Sequence, residues 1–142
     1  MAALHHNCCG GKDCYIDKFH PKLEDFDECL PGGCEYTDID AMVEKAGFFL
    51  FTEFKVAVNK KHDHMAPGGQ REAMEKLTKL SPKITVWLVE GNSPQRQCTR
   101  LRECKNGVWT EWQAITWDEL KQAHRDWFPR CVAEHHERLA TR

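Results

Sequence analysis

Residues 38–55 read DIDAMVEKAGFFLFTEFK, and the fold turns on how this stretch pairs with itself. Two apolar segments, roughly 36–44 and 48–58, flank Lys45-Ala46-Gly47 and read as a strand hairpin. If the hairpin is regular and centred on Ala46-Gly47, residue i faces residue 93 − i. Asp40 then falls opposite Glu53, and Asp38 opposite Lys55. Side chains opposed in this way have Cβ atoms about 4.5–5.5 Å apart. Glu53 and Lys55, two apart on one strand, share a face whatever the pairing. A slip of one residue would change the partners but not that shared face.

The run FFLFTEFKVAV is apolar on both faces, as buried central strands are. Charges in such a place are costly unless paired. Two readings meet here. In one, Asp38 and Lys55 form a cross-strand ion pair and nothing more. In the other, Asp40 and Glu53 repel each other until a cation sits between them, and a hard divalent ion such as Mg²⁺ takes such oxygen ligands and keeps waters. A lysine beside a metal-bound water can orient or deprotonate it, and the ion stabilises charge on a phosphate in flight. Spacing alone leaves both readings open.

The chain has 142 residues, 41% of them hydrophobic, and a formal net charge of −2. That suits one domain with a real core. No apolar run approaches bilayer length. The start, MAALHHNCCGGKDC, lacks the charged and apolar regions of a signal peptide, so a cytoplasmic protein is expected, in the host cytoplasm if the source is viral. Charge is unevenly spread: residues 1–54 balance at −7, residues 55–105 at +6 and residues 106–142 at −1. The basic middle could face a polyanion or be a solvated surface of mixed charge.

Around the hairpin the chain alternates helices and strands. KLEDFDECL (22–30) suits a short helix, broken by PGG (31–33). NKKHDHMAPGG (59–69) is a polar loop, and QREAMEKLTKL (70–80) has Ala73, Met74, Leu77 and Leu80 at helical spacing. KITVWLVEG (83–91) is a strongly apolar strand. CTRLRECKNGVWTEWQAI (98–115) reads as a hairpin turning at Asn106-Gly107. Thr116 with Glu119 makes a capping box; Trp117, Leu120, His124 and Trp127 follow at helical spacing, Pro129 ends or kinks that helix, and the tail is helical. The fold class is α/β: a single-domain mixed sheet flanked by helices over 1–142. Within it, 1–35 is a Cys/His-rich segment, 36–91 the core, and 92–142 the hairpin and C-terminal helices.

The chain holds eight cysteines. In an intracellular protein they read as metal ligands or reduced thiols rather than disulfides. Cys9-x₄-Cys14 and Cys29-x₄-Cys34 fall within the loose spacing of a zinc site built from two loops. Cys8, Cys14, Cys29 and Cys34 are one ligand set for structural Zn²⁺, with His5, His6 and His20 as further candidates; reduced thiols are the other reading. Cys98 and Cys104, read onto opposing hairpin strands, and Cys131 are structural. The tryptophans are packing residues, with Trp109 and Trp112 the exceptions that suit base stacking.

Asp, a short hairpin and then Glu-x-Lys resembles the PD-(D/E)XK nuclease superfamily, the restriction-endonuclease-like fold with an αβββαβ core. GGQREAMEKL (68–77) looks like the Gly-Gln helix start that follows the Glu-x-Lys strand in VRR-NUC-like and phage-encoded members, and the likeness covers roughly half the chain. No proline stands beside the aspartate; the nearest upstream is Pro31. The resemblance implies that Asp40 and Glu53 ligate Mg²⁺ or Mn²⁺, with the Phe54 carbonyl as a further oxygen. It implies that Lys55 positions the attacking water and that Gln70 reaches the metal site or the DNA backbone. Glu24 or Glu28 would add a first-helix carboxylate, and Asp38 would be an alternative to Asp40. The expected activity is a metal-dependent endonuclease hydrolysing DNA phosphodiesters. The expected partner is DNA, with Lys60, Lys61, Arg71 and Lys79 as phosphate contacts, and a homodimer is an option for double-strand cutting. The alternative is a zinc-stabilised, non-catalytic nucleic-acid-binding module.

Overall fold

The structure is a computed structural model that describes residues 23–56 and 68–142. Cys8, Cys14, the N-terminal histidines, Lys60, Lys61 and His62–His64 lie outside the described residues. The chain divides into two compact units, Met1–Asp38 and Ile39–Arg142. In the first unit, LEDFDEC forms a 3-10 helix over Leu23–Cys29. The Pro-Gly-Gly break follows, with Cys34 N–H donating to the Pro31 carbonyl at 2.9 Å and Gly33 at φ 81°. Phe26 and Tyr36 meet edge to face at 6.2 Å.

The second unit is a mixed sheet of six strands carrying two helices. In chain order these are β1 (Ala41–Lys45), β2 (Phe48–Lys55), α1 (Gly68–Lys79), β3 (Ile84–Asn92), β4 (Gln97–Lys105), β5 (Val108–Trp109), β6 (Gln113–Ala114) and α2 (Trp117–Ala140). The strands lie in the order β1-β2-β3-β4-β5, with β6 also on β4. β2 and β3 are parallel, and the other neighbours antiparallel. The expected α/β class with a mixed sheet flanked by helices is what forms. Among the described residues two strands, not three, stand between the first helix and α1. The reason is local: CEYTDID, polar and exposed over most of its length, does not extend β1 upstream of Ala41.

The hairpin has the expected register, from Ala41 opposite Thr52 to Lys45 opposite Phe48. Ala46 and Gly47 both have positive φ, 50° and 82°. Two positive φ values in a two-residue loop make the turn whose twist matches paired strands. Glu44 steadies it by accepting the Gly47 N–H at 2.7 Å. Asn106 and Gly107, at 49° and 77°, repeat the device between β4 and β5.

The sheet buries both faces. On one, Phe48, Leu50, Trp87, Val89 and Leu101 pack against Leu120, Trp127 and Cys131 of α2. On the other, Val86 and Cys104 pack against Met74 of α1, with Phe51, Leu77 and Trp109 beside them. β3 is central, and Val86, Trp87, Leu88 and Val89 are buried on both sides. The capping box forms as expected: Glu119 N–H donates to the Thr116 hydroxyl, and Thr116 N–H to the Glu119 carboxylate.

Two expectations need correction. α2 runs through Pro129 to Ala140 without ending there. A proline inside a helix forfeits one backbone bond and costs about 3 kcal/mol or more. Trp127, Phe128, Cys131 and Val132 on both sides of it are packed on the sheet, which carries the helix across the gap. Cys98 and Cys104 are on one strand, β4, because the turn comes only at Asn106-Gly107. Their even spacing would put them on one face, yet Cys98 packs on the α2 side and Cys104 on the α1 side. A bulge opposite Glu90 and Gly91 inserts Thr99 and flips the alternation.

Candidate active site

β1 pairing stops at Ala41, and from there side chains replace the backbone ladder. Asp40 N–H donates to Glu53 Oε2 at 3.1 Å. Phe54 N–H donates to Asp40 Oδ2 at 2.7 Å. The two carboxylates thus close the end of the hairpin reciprocally, each accepting a backbone N–H from across it. Lys55 Nζ lies 2.8 Å from Glu53 Oε1. Asp40, Glu53 and Lys55 are therefore in one chain of contacts, as the spacing predicts. Asp38, Glu24 and Glu28 belong to the first unit.

Glu53 is 5% exposed. Burial pushes its carboxyl above the ordinary value of 4.5, the Lys55 hydrogen bond pulls it back, and the charge of Asp40 pushes it up again. Two carboxylates on one side of a strand end, one of them desolvated, form a site short of positive charge. Lys55 offsets this only in part.

Topology brings α1 to the same place. β2 and β3 are parallel, with Phe49 level with Ile84 and Lys55 level with Glu90. The crossover helix returns from the Lys55 end to the Ile84 end, so α1, which packs on β3 and β4, starts toward the end of the sheet that carries Glu53 and Lys55. Gln70, the third residue of α1, is delivered to that end. Arg71 is there too, exposed and paired with Glu75 at 3.0 Å. Lys79 is not: it ends the helix beside the Asn106-Gly107 turn, its side chain 2.3 Å from where a Cβ on Gly107 would stand. Nine residues of helix at about 1.5 Å each separate it from Gln70. Lys79 is therefore about 13 Å along the helix from Gln70.

The donor set fits a hard divalent cation in kind. It offers two carboxylates, each with lone pairs beyond those its backbone bond uses. A strand residue sends its N–H and C=O to the same edge. The Phe54 N–H points at Asp40, so its carbonyl leaves the strand beside the same carboxylates. Among the described residues no group of three or more His, Cys, Asp or Glu side chains is placed to hold a metal ion. The protein ligands here would be two side chains and one carbonyl, the sparse set that Mg²⁺ completes with water. For zinc, Cys29 and Cys34 are exposed free thiols in the first unit, and the other two candidates lie outside the described residues.

A second concavity of about 390 Å³ opens on the α2 side, lined in part by Trp87, Glu103, Asp126 and Arg130. Its charges answer one another: Glu103 accepts from Trp87 Nε1 and from Arg130. It holds no opposed carboxylate pair like that of Asp40 and Glu53. The sequence reading named Trp109 and Trp112 but passed over the two arginines beside them, on the α1 side of β4. Arg100 and Arg102 lie against the indoles of Trp112 and Trp109. The T-R-L-R alternation before the turn and W-x-x-W after it was the available signal.

No helix among the described residues is long and apolar enough to cross a membrane. The chain matches no family model, no curated protein and no solved structure.

Proposed function

We propose that the protein is a metal-dependent endonuclease that hydrolyses DNA phosphodiester bonds with an activated water. One observation carries this reading: at the strand end the Asp40 N–H bonds the buried Glu53 carboxylate, the Phe54 N–H bonds the Asp40 carboxylate, and Lys55 pairs with Glu53. A carboxylate that merely closed a hairpin, as exposed Asp40 could, would not need to be buried beside a lysine as Glu53 is.

In this reading Asp40, Glu53 and the Phe54 carbonyl hold Mg²⁺ or Mn²⁺. When bound, the ion lowers the pKa of a water and stabilises charge on the phosphate. Lys55 orients the attacking water and, freed from part of its bond to Glu53, faces the phosphate oxygens. Gln70 and the first backbone N–H groups of α1 bind the phosphate, as helix starts do. Burial of Glu53 keeps bulk water from screening these charges.

The test is cleavage of single-stranded, duplex and branched DNA with Mg²⁺ or Mn²⁺, beside a chelated control. Lys55→Ala removes a proton-handling and orienting group, and such groups contribute about 10²- to 10⁴-fold to rate. A loss of that size is expected, with Glu53→Ala at least as damaged. Wild type inert on every substrate, or variants that cut as well as wild type, would overturn the reading.

A further inference from the structure

The last turns of α2, the end of β1 and the residue before β3 bring basic side chains to one place. Lys83 Nζ lies over the Phe48 ring at 5.1 Å, and Lys45 Nζ over the Phe128 ring at 5.6 Å. Phe48 and Phe128 meet at 5.9 Å, and His135 meets Phe48 at 5.8 Å. His136 and Arg138 adjoin His135, and Arg138 Nη2 donates to His135 Nδ1 at 3.3 Å. Arg142 lies just past the helix end.

Among the described residues, none of Lys45, Lys83, Arg138 and Arg142 is in an ion pair. By contrast, Arg71, Lys76, Arg100, Lys105 and Arg130 each pair with a carboxylate. The acids that flank the cluster do not answer it. Glu44 accepts the Gly47 N–H, Glu134 pairs with Lys105 and Arg130, and Glu137 is exposed with no ion pair. Burial pushes His135 below its ordinary 6.5, and Lys83, Arg138, His136 and Arg142 all push the same way. The helix dipole favours cations at a C-terminus, which accounts for Arg138 and Arg142. It does not account for Lys45 and Lys83, which come from two other segments. Like charges gathered in this way repel one another until an anion joins them.

We propose that this cluster holds the phosphate backbone of DNA, on a segment other than the one at Asp40, Glu53 and Lys55. The choice of DNA among polyanions rests on the nuclease reading. None of the cluster's residues lines the concavity of about 390 Å³. Small ligands take concave sites, whereas a phosphate backbone needs only charge at the surface. Phe48 is seven residues from Lys55 along β2, about 23 Å at the rise of a strand. The two places are also on opposite faces. Phe48 packs on the α2 side, and Phe51, two before Glu53, on the α1 side. A straight segment bound at one place therefore does not reach the other. The ring faces hold the two ammonium groups without neutralising them. Phosphates beside His135 favour its charged form. Once protonated, the ring no longer accepts from Arg138, and that edge of the guanidinium turns to phosphate.

Binding is read apart from cleavage by using Glu53→Gln protein with chelator and a fluorescent DNA duplex. Lys45→Gln with Lys83→Gln is expected to weaken binding and to flatten its dependence on salt. Each phosphate contact adds about 0.9 to the slope of log affinity against log salt. Losing two should shrink the affinity change between about 50 and about 200 mM salt roughly 10-fold. Lys45→Arg with Lys83→Arg keeps the charge and should bind as the parent does. The His135 ring, followed by NMR, should titrate at higher pH with DNA bound, so binding should tighten as pH falls through that titration. Poly-glutamate should compete poorly. In otherwise wild-type enzyme the glutamine pair should raise KM and leave kcat unchanged. Glutamine variants that bind with the parent's affinity and slope, a His135 titration that DNA does not move, or poly-glutamate that competes as well as DNA would each overturn the proposal, even if the enzyme cuts. Cluster-dependent DNA binding by a protein that cuts nothing would sustain the cluster and sink the nuclease reading.

Discussion

Replacing Glu53 with glutamine should make the protein more stable and inactive at once. Glutamine has the same shape, and its carbonyl can still accept the Asp40 N–H now held at 3.1 Å. What it removes is a charge that is 5% exposed. Burial, against the restraint of Lys55, holds the Glu53 carboxyl above its ordinary 4.5. The folded state therefore binds more protons than the unfolded one in the window above that value, and wild-type stability falls as pH rises through it. The variant lacks this loss. Its advantage is nil well below pH 4.5, opens across the window, and is complete at neutral pH. The Lys55 side chain, 26% exposed, can turn to water when its partner is neutral. Relieving a functional site of this kind is worth about 0.5–2 kcal/mol. At about 4–8 °C per kcal/mol for a domain of roughly 100 residues, the melting temperature should rise by about 2–16 °C. Mn²⁺ or Mg²⁺ should reverse the order, because only wild type binds it well; a ligand at 100 times its Kd adds about 2.7 kcal/mol. The assay is thermal unfolding from pH 3.5 to 8, with chelator and with Mn²⁺. A variant that melts below wild type in chelator at neutral pH would show that Lys55 outweighs burial, and the account of a strained carboxylate would be wrong.

Three further substitutions probe the scaffold. Met74→Ala empties a fully buried position between α1 and the sheet, and chemical denaturation should show a loss of about 2–5 kcal/mol. Ala46→Gly relieves a left-handed residue at φ 50° in the hairpin turn; a gain of about 1 kcal/mol is expected by the same assay, since that conformation costs a non-glycine residue about 1–2 kcal/mol. Gly91→Ala would place a Cβ 2.3 Å from the Gln97 carbonyl oxygen and 2.7 Å from the Cys98 Cα, both backbone. Neither atom can move without opening the bulge, so a loss of about 1–3 kcal/mol or more is expected, measured as a lower melting temperature.

How far the sequence speaks depends on whether a feature is set locally. The Asp40–Glu53 pairing was legible because the Ala46-Gly47 turn fixes the register and the period of two does the rest. The capping box at Thr116 was legible for the same reason: its parts are three residues apart. The path of α2 through Pro129 was not, because the missing hydrogen bond is local and the packing that compensates for it comes from three strands. That Lys79 lies at the far end of α1 from Gln70 was not legible for a related reason. Charge runs along the sequence, but which end of a helix lies toward the site is set by the parallel pairing of β2 with β3, formed by residues 35 apart. The cluster of Arg100 and Arg102 with Trp109 and Trp112 sits between these cases. Its residues alternate visibly in TRLRECKNGVWTEW, and the turn is legible. Two irregularities decide what meets what: the bulge at Thr99, and the break between β5 and β6. A regular hairpin about Asn106-Gly107 would place Arg100 opposite residue 113 and Arg102 opposite 111. Instead Arg100 pairs with Ala114, and the residue gained in the break is what places Trp112 over both guanidinium groups. The carboxylates are thus written in a regular hairpin and the Arg–Trp cluster in an irregular one, which is why only the first could be read by counting.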